Sequence, residues 1–167
     1  MIEAAADAFK ANGYAGTGRG EVAQRAGVST KTLYRLFPAK DVLFGLVVTD
    51  RIGRFMLEID EEVLGALDLA AALERILVAY GGLTLGAETI AINRLVLGEC
   101  ERFPEIAASF YERAIKPIHA AMSGWLRRQI ERGLIRLDDP DLATGMLRGH
   151  DDPGAAAQHH VGPARGA

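Results

Sequence analysis

Thr30, Lys31, Thr32, Tyr34 and Arg35 stand close together in the chain and present hydroxyl, ammonium, guanidinium and phenol groups over two helical turns. Lysine and arginine suit the O6 and N7 acceptors of guanine, so Thr30, Lys31 and Arg35 are the candidates for contact with base edges. A merely solvated helix would show a Glu/Lys mixture instead. Upstream, Thr17 and Arg19 offer a hydroxyl and a guanidinium that could anchor or read nucleic acid. The elements that must hold these groups are legible around them. Val22, Ala23 and Ala26 share one face of a first helix. Gly27 follows where that helix must turn through a left-handed backbone, Val28 plugs the angle, and Ser29, itself a candidate for contact with DNA, is a good N-cap for a second helix. Leu33, Leu36 and Phe37 are expected to form its inner face. Two helices joined in this way make the motif that lays its second helix in the major groove. Helix–glycine–helix turns also occur in all-helical proteins that never touch DNA, and the basic outward face is what separates the two readings.

The series Ala11-x-Gly13-Tyr14, Thr17, Val22-Ala23-x-x-Ala26-Gly27-Val28-Ser29, Thr32-Leu33-Tyr34-x-x-Phe37 and Lys40 resembles the N-terminal domain of TetR-family transcriptional repressors over residues 1–50. The runs at 94–112 and 132–143 are similar to the C-terminal regulatory domain of one branch of that family. The resemblance implies a homodimer that binds near-palindromic operator DNA and releases it when a small-molecule inducer moves the linking helix. It also implies phosphate contacts for Tyr34 and Lys40. By residue type alone, Tyr34 could equally be a core aromatic and Lys40 an ordinary solvated lysine. Gly18-Arg19-Gly20 departs from the family pattern and weakens the first turn of the helix it opens.

Charge supports the division. The chain of 167 residues has a net charge of −3, yet residues 1–40 hold six basic side chains against three acidic ones, a balance of +3. A basic head on an acidic body fits a phosphate-binding module joined to one that does not bind DNA. Charges interrupt the apolar runs before the ~20 residues of a membrane span. Met1 opens directly into an amphipathic pattern, so no signal peptide and no membrane association are expected. The lone Cys100 fits a reducing cytoplasm.

The periodicity predicts an all-α protein: an N-terminal three-helix DNA-binding domain with helix-turn-helix (1–45), linked by a long helix to a C-terminal helical regulatory domain (46–149), then a disordered tail (150–167). The first helix covers 2–12 and stops at Asn12-Gly13. The linking helix runs to about residue 64 with Leu43, Val47, Phe55, Ile59 and Val63 inward. Leu69, Ala72, Leu73, Ile76, Leu77 and Tyr80 form the next stripe. Pro104 starts a helix with Ile106, Phe110, Ala114, Ile118, Met122, Trp125 and Leu126 inward, which Pro117 should kink and Gly133 should end. Asp139-Pro140-Asp141 opens a last helix. Tyr80, Arg94, Phe110, His119, Met122 and Trp125 are candidates for a ligand pocket, since apolar walls with a few polar groups suit a small molecule. Each has a plainer reading: core for the aromatics, a solvated helix residue for His119, an ion pair with Glu99 for Arg94. No G-x-S-x-G, phosphate-cradling glycine loop or paired Cys/His spacing is present, so no enzyme, cofactor or metal is expected. The three histidines His150, His159 and His160 lack a scaffold for a metal. With only one short helix before the tail, whose composition resembles out-of-frame translation, a second reading stays open: a truncated ligand-binding or vestigial helical protein with impaired dimerisation and DNA binding.

Overall fold

Apolar side chains at helical spacing organise all of residues 1–147, which are the residues described by this computed structural model, and no strand occurs among them. The chain forms a first compact unit, Met1–Ala121, and a second beginning at Met122.

In the first unit α1 (Ile2–Gly16) buries Ala5, Ala8 and Phe9 against α4 (Lys40–Glu58), and α2 (Arg19–Arg25) and α3 (Thr30–Leu36) pack on each other. Helix α4 lines the centre with Leu43, Phe44, Val47, Val48, Ile52 and Phe55 and touches α6 (Leu69–Thr84), α7 (Ala87–Glu99) and α8 (Pro104–Phe110) as well. Phe44 is the hub, meeting the ring edges of Phe9 at 5.5 Å and Tyr14 at 5.9 Å between centroids. Gly45, also buried on α4, lies so near α8 and the turn after it that a Cβ there would stand 2.6 Å from Arg113 Nε and 2.8 Å from Ser109 Oγ. Residue 45, expected as a domain boundary, lies in the second turn of α4, within the unit Met1–Ala121.

Several expected elements are displaced for identifiable reasons. The linking helix stops at Glu58 because Asp60 caps a new helix, α5 (Glu61–Gly65), its carboxylate accepting from the Glu62 amide at 2.9 Å. The buried residue there is Leu64, not Val63. On α6 the buried line is Ala72, Ile76 and Ala79, while Leu77 is exposed. Leu77 is followed by the still more exposed Val78, and an apolar stripe this wide leaves its own phase undetermined. Helix α6 runs through Gly81 and Gly82, and the chain turns at Gly86, the N-cap of α7.

Pro117 acts differently from a simple kink. A five-residue π turn, Tyr111–Ile115, precedes α9 (Lys116–Glu131), and the Lys116 amide donates to Tyr111 O five residues back. Proline lacks the amide and its ring collides with the carbonyl four residues earlier, and the wider turn relieves that collision.

In the second unit Met122, Ser123, Trp125, Leu126 and Gln129 are buried on α9, which closes with Leu134 N donating to Gln129 O at 3.0 Å. Asp139 then caps α10 (Pro140–Leu147), accepting from the amides of Asp141 at 2.9 Å and Leu142 at 3.0 Å. Arg127 pairs with Asp141 across the intervening turn. The expected end of this helix near 149, the tail at 150–167 and its histidines lie outside the described residues. No single helix among the described residues is long and apolar enough to cross a membrane; α6 and α7 would suffice only together, and they meet at a bend of 60°.

Candidate nucleic-acid interface

The helix-turn-helix closes as its sequence requires. Gly27 has φ +67°, and the Val28 amide donates to Ala23 O at 3.0 Å, satisfying a carbonyl left over at the end of α2. Ser29 then caps α3, its hydroxyl accepting from the Thr32 amide at 3.1 Å and sharing a 2.8 Å hydrogen bond with the Thr32 hydroxyl. Capping takes up the polar groups of Ser29 and Thr32 that were candidates for DNA. Leu33 is fully buried beneath α3. Leu36, expected beside it, is 48% exposed, because α3 ends there and its last turn projects past the core. Thr30, Lys31 and Arg35 are exposed, and Lys31 and Arg35 make no hydrogen bond or ion pair within the described residues.

Tyr34 is no core aromatic: it is 48% exposed, with the Arg19 guanidinium 4.1 Å above its ring. The same guanidinium donates to the carbonyls of Phe37 at 2.9 Å and Pro38 at 2.6 Å. Arg19 thus fixes the chain leaving α3 and stacks on the tyrosine, so its first task is to hold the motif together rather than to read DNA.

Two further candidates make their contacts within the protein. Thr17 is 1% exposed, and its hydroxyl donates to Gly13 O at 2.7 Å and Ala8 O at 3.0 Å, which removes it from any surface. Lys40 donates to Tyr14 O at 2.7 Å and Ala15 O at 3.3 Å, with its ammonium 4.8 Å from the Tyr14 ring. Partial burial lowers the pKa of this lysine. It closes the end of α1 and is not an ordinary solvated lysine.

Both of these side chains serve a break in α1 that the sequence announces only by Asn12-Gly13. Gly13 adopts φ +69°, ψ −180°, a conformation essentially restricted to glycine. The amides that follow need acceptors, and they find Glu99 at the end of α7: Tyr14 N lies 2.7 Å and Ala15 N 2.8 Å from its two carboxylate oxygens. Sequence reasoning missed this role and considered Glu99 only as an alternative partner for Arg94. Arg94 in fact faces solvent on α7, so the expected pairing does not form.

The ligand candidates of the first unit lie on α6, on α7, at the end of α8 and on α9. Tyr80 packs edge-on against Phe55 at 6.0 Å between ring centroids, Phe110 is half-buried where α8 meets the π turn, and His119 is half-buried on α9. In the second unit Met122 and Trp125 are buried. A small cavity of about 40 Å³ between α1, α4 and α7 has none of these residues in its walls; Arg51 and Glu88 border it, joined at 2.6 Å, and Arg51 also reaches Glu3 at 2.9 Å.

Two family models match the chain: bacterial regulatory proteins of the tetR family over residues 1–47, and the C-terminal domain of AefR-like transcriptional repressors over residues 71–149. No curated protein matches it in sequence. Among solved structures, a protein of Mesorhizobium loti MAFF303099 assigned to the TetR family of transcriptional regulators is 28% identical, with a TM-score of 0.73, over 99% of this chain and 84% of that one. The flavonoid-responsive regulator FrrA is 26% identical, with a TM-score of 0.71, over 98% and 84%. The regulator FadR of Bacillus subtilis, solved in complex with stearoyl-CoA, shares the fold at 23% identity and a TM-score of 0.65, over 87% and 78%.

Proposed function

Because the chain belongs to the TetR family of bacterial regulatory proteins, we propose that it is a repressor that reads operator DNA through α3 and is released by a small molecule. The observation that carries this reading is the contrast within the motif. Neighbouring cations are spent on main-chain carbonyls, whereas Lys31 and Arg35 stay exposed on the outward face of α3 without a partner among the described residues. Capped by Ser29 and held below by Leu33, that face is rigid before it meets DNA, which limits the ordering cost of binding.

Two protomers would bring two such helices to successive major grooves. Leu142 and Met146, apolar and exposed on α10, are the residues we assign to the contact between protomers. An apolar inducer fits the likeness to a flavonoid-responsive regulator. Binding it more tightly in the DNA-free arrangement would lower operator affinity by the same factor by which operator lowers inducer affinity.

Selection of bound duplexes from a random pool tests the reading. A two-fold symmetric consensus, altered by Arg35→Ala, is the expected result. Binding without sequence preference, or a consensus untouched by Lys31→Ala and Arg35→Ala, would overturn it.

A further inference from the structure

We infer that Glu99 is a positioning residue for DNA binding, the group on α7 that sets the angle at which α1–α3 are carried. The inference rests on the DNA-reading function proposed above, and its grounds are geometric. The Glu99 carboxylate takes the amides of Tyr14 and Ala15, one on each oxygen, at 2.7 and 2.8 Å. Bonds of this kind from a charged acceptor are about twice as strong as neutral ones. Gly13 is shaped to admit it, since a Cβ there would stand 2.5 Å from Glu99 Oε1. The carbonyls of the same two residues are taken from the other side by Lys40.

The peptide segment 14–15 is thus gripped between a carboxylate of α7 and an ammonium at the start of α4. Three residues before Lys40 stands Phe37, whose carbonyl with that of Pro38 is held by Arg19, and Arg19 in turn lies over Tyr34 of α3. Polar contacts, joined by the backbone between Phe37 and Lys40 and completed by the Arg19 guanidinium over the Tyr34 ring, therefore lead from the last turn of α7 to the recognition helix. At its other end α7 is tied to α4 and, through Arg51, to α1 by side chains alone, at Glu88. Of the side-chain hydrogen bonds that α7 makes among the described residues, those of Glu99 take hold of the main chain that leads into the motif, so a change in α7 reaches α3 first through this carboxylate.

A residue of this kind should matter for matching two half-sites and not for touching one. The test compares the wild type with E99Q, which has one acceptor oxygen fewer, and with E99D, which keeps both acceptors but shortens the reach. Affinities are measured for a duplex with one half-site, for the full operator and for operators with base pairs inserted between the half-sites, alongside melting. The expected result is that either variant keeps single half-site affinity and loses roughly tenfold or more on the full operator, with its preferred spacing shifted or blurred. If E99Q does not fold, the same comparison on E99D decides. Full-operator binding and spacing preference equal to the wild type would overturn the inference. So would parallel losses on single and double sites accompanied by a lower melting temperature, which mark a merely structural role. A wild type that binds no selected duplex, or gains nothing from the second half-site, instead overturns the function on which the inference depends.

Discussion

On α3, Lys31 and Arg35 extend into solvent, while Arg19 and Lys40, on either side in sequence, are engaged with the carbonyls of Phe37, Pro38, Tyr14 and Ala15. The residue types are the same and the net charge of the region counts them equally. What separates them is the backbone beside each. Lys31 and Arg35 stand on the outward face of α3, Arg35 in its last turn, and among the described residues neither side chain reaches a carbonyl of another element. Where a helix ends, carbonyls are left without intrahelical partners, and a nearby cation satisfies them. A basic residue on an outward helix face is thus the better candidate for an intermolecular contact than one whose side chain reaches the free carbonyls at the end of a neighbouring element.

The sharpest way to break this comparison is to remove each set and ask whether affinity or stability falls. Lys31→Ala and Arg35→Ala should each weaken operator binding by about 1–3 kcal/mol and relax sequence preference. Their unfolding free energy should stay within about 0.5 kcal/mol of the wild type, as for surface substitutions elsewhere. Urea denaturation beside binding isotherms reads both quantities; a drop in stability without a change in sequence preference would reverse the assignment.

Thr17→Val should behave in the opposite sense. The valine fits the buried site but leaves the carbonyls of Ala8 and Gly13 without the hydroxyl, at a cost of about 1–3 kcal/mol of stability. The dependence of DNA affinity on salt should keep its slope, since no phosphate contact is lost. A slope reduced by about one unit would return Thr17 to the interface.

Lys40→Met separates the two roles at a single residue, with a smaller effect. Losing the bonds to Tyr14 and Ala15 should cost about 1 kcal/mol of stability. If capping is the whole role of Lys40, the salt slope is unchanged; a fall of about one unit would show that the ammonium also reaches a phosphate.

How much of this was legible in the sequence depends on distance along the chain. Gly27, Ser29 and the Asp139 cap were readable because their partners lie within five residues, where local geometry dictates them. The buried line of α6 was not, since Leu77 and Val78 are as apolar as the residues that pack, and only the neighbouring helices decide which side is covered. The break at Asn12-Gly13 was visible, but the acceptor for the amides it frees comes from Glu99, about 85 residues away. The ligand candidates were readable only as faces for a related reason: aromatic and polar residues at helical spacing identify faces, and a pocket needs two faces set at a particular separation.

Tyr14 lies where the two classes of contact meet, and its phenol provides the finest test. Its amide goes to Glu99, its carbonyl to Lys40, and its ring meets Phe103 at 5.2 Å between centroids. Burial raises the pKa of the phenol above its ordinary value of 10.0, and Glu105 and Asp41 raise it further. The folded state therefore favours the neutral phenol. The stability linked to it is fully present below pH 10.0 and is lost as pH rises, because the unfolded chain releases the proton first. Tyr14→Phe lacks this linkage. The stability difference between wild type and variant should be flat at lower pH and shift against the wild type above pH 10.0, by about 1.4 kcal/mol at about pH 11. Urea denaturation of both proteins across this range measures it. A difference that stays flat to pH 11 would mean that the joint opens to water around Tyr14, and that the grip of Glu99 and Lys40 on this segment is looser than their short hydrogen bonds imply.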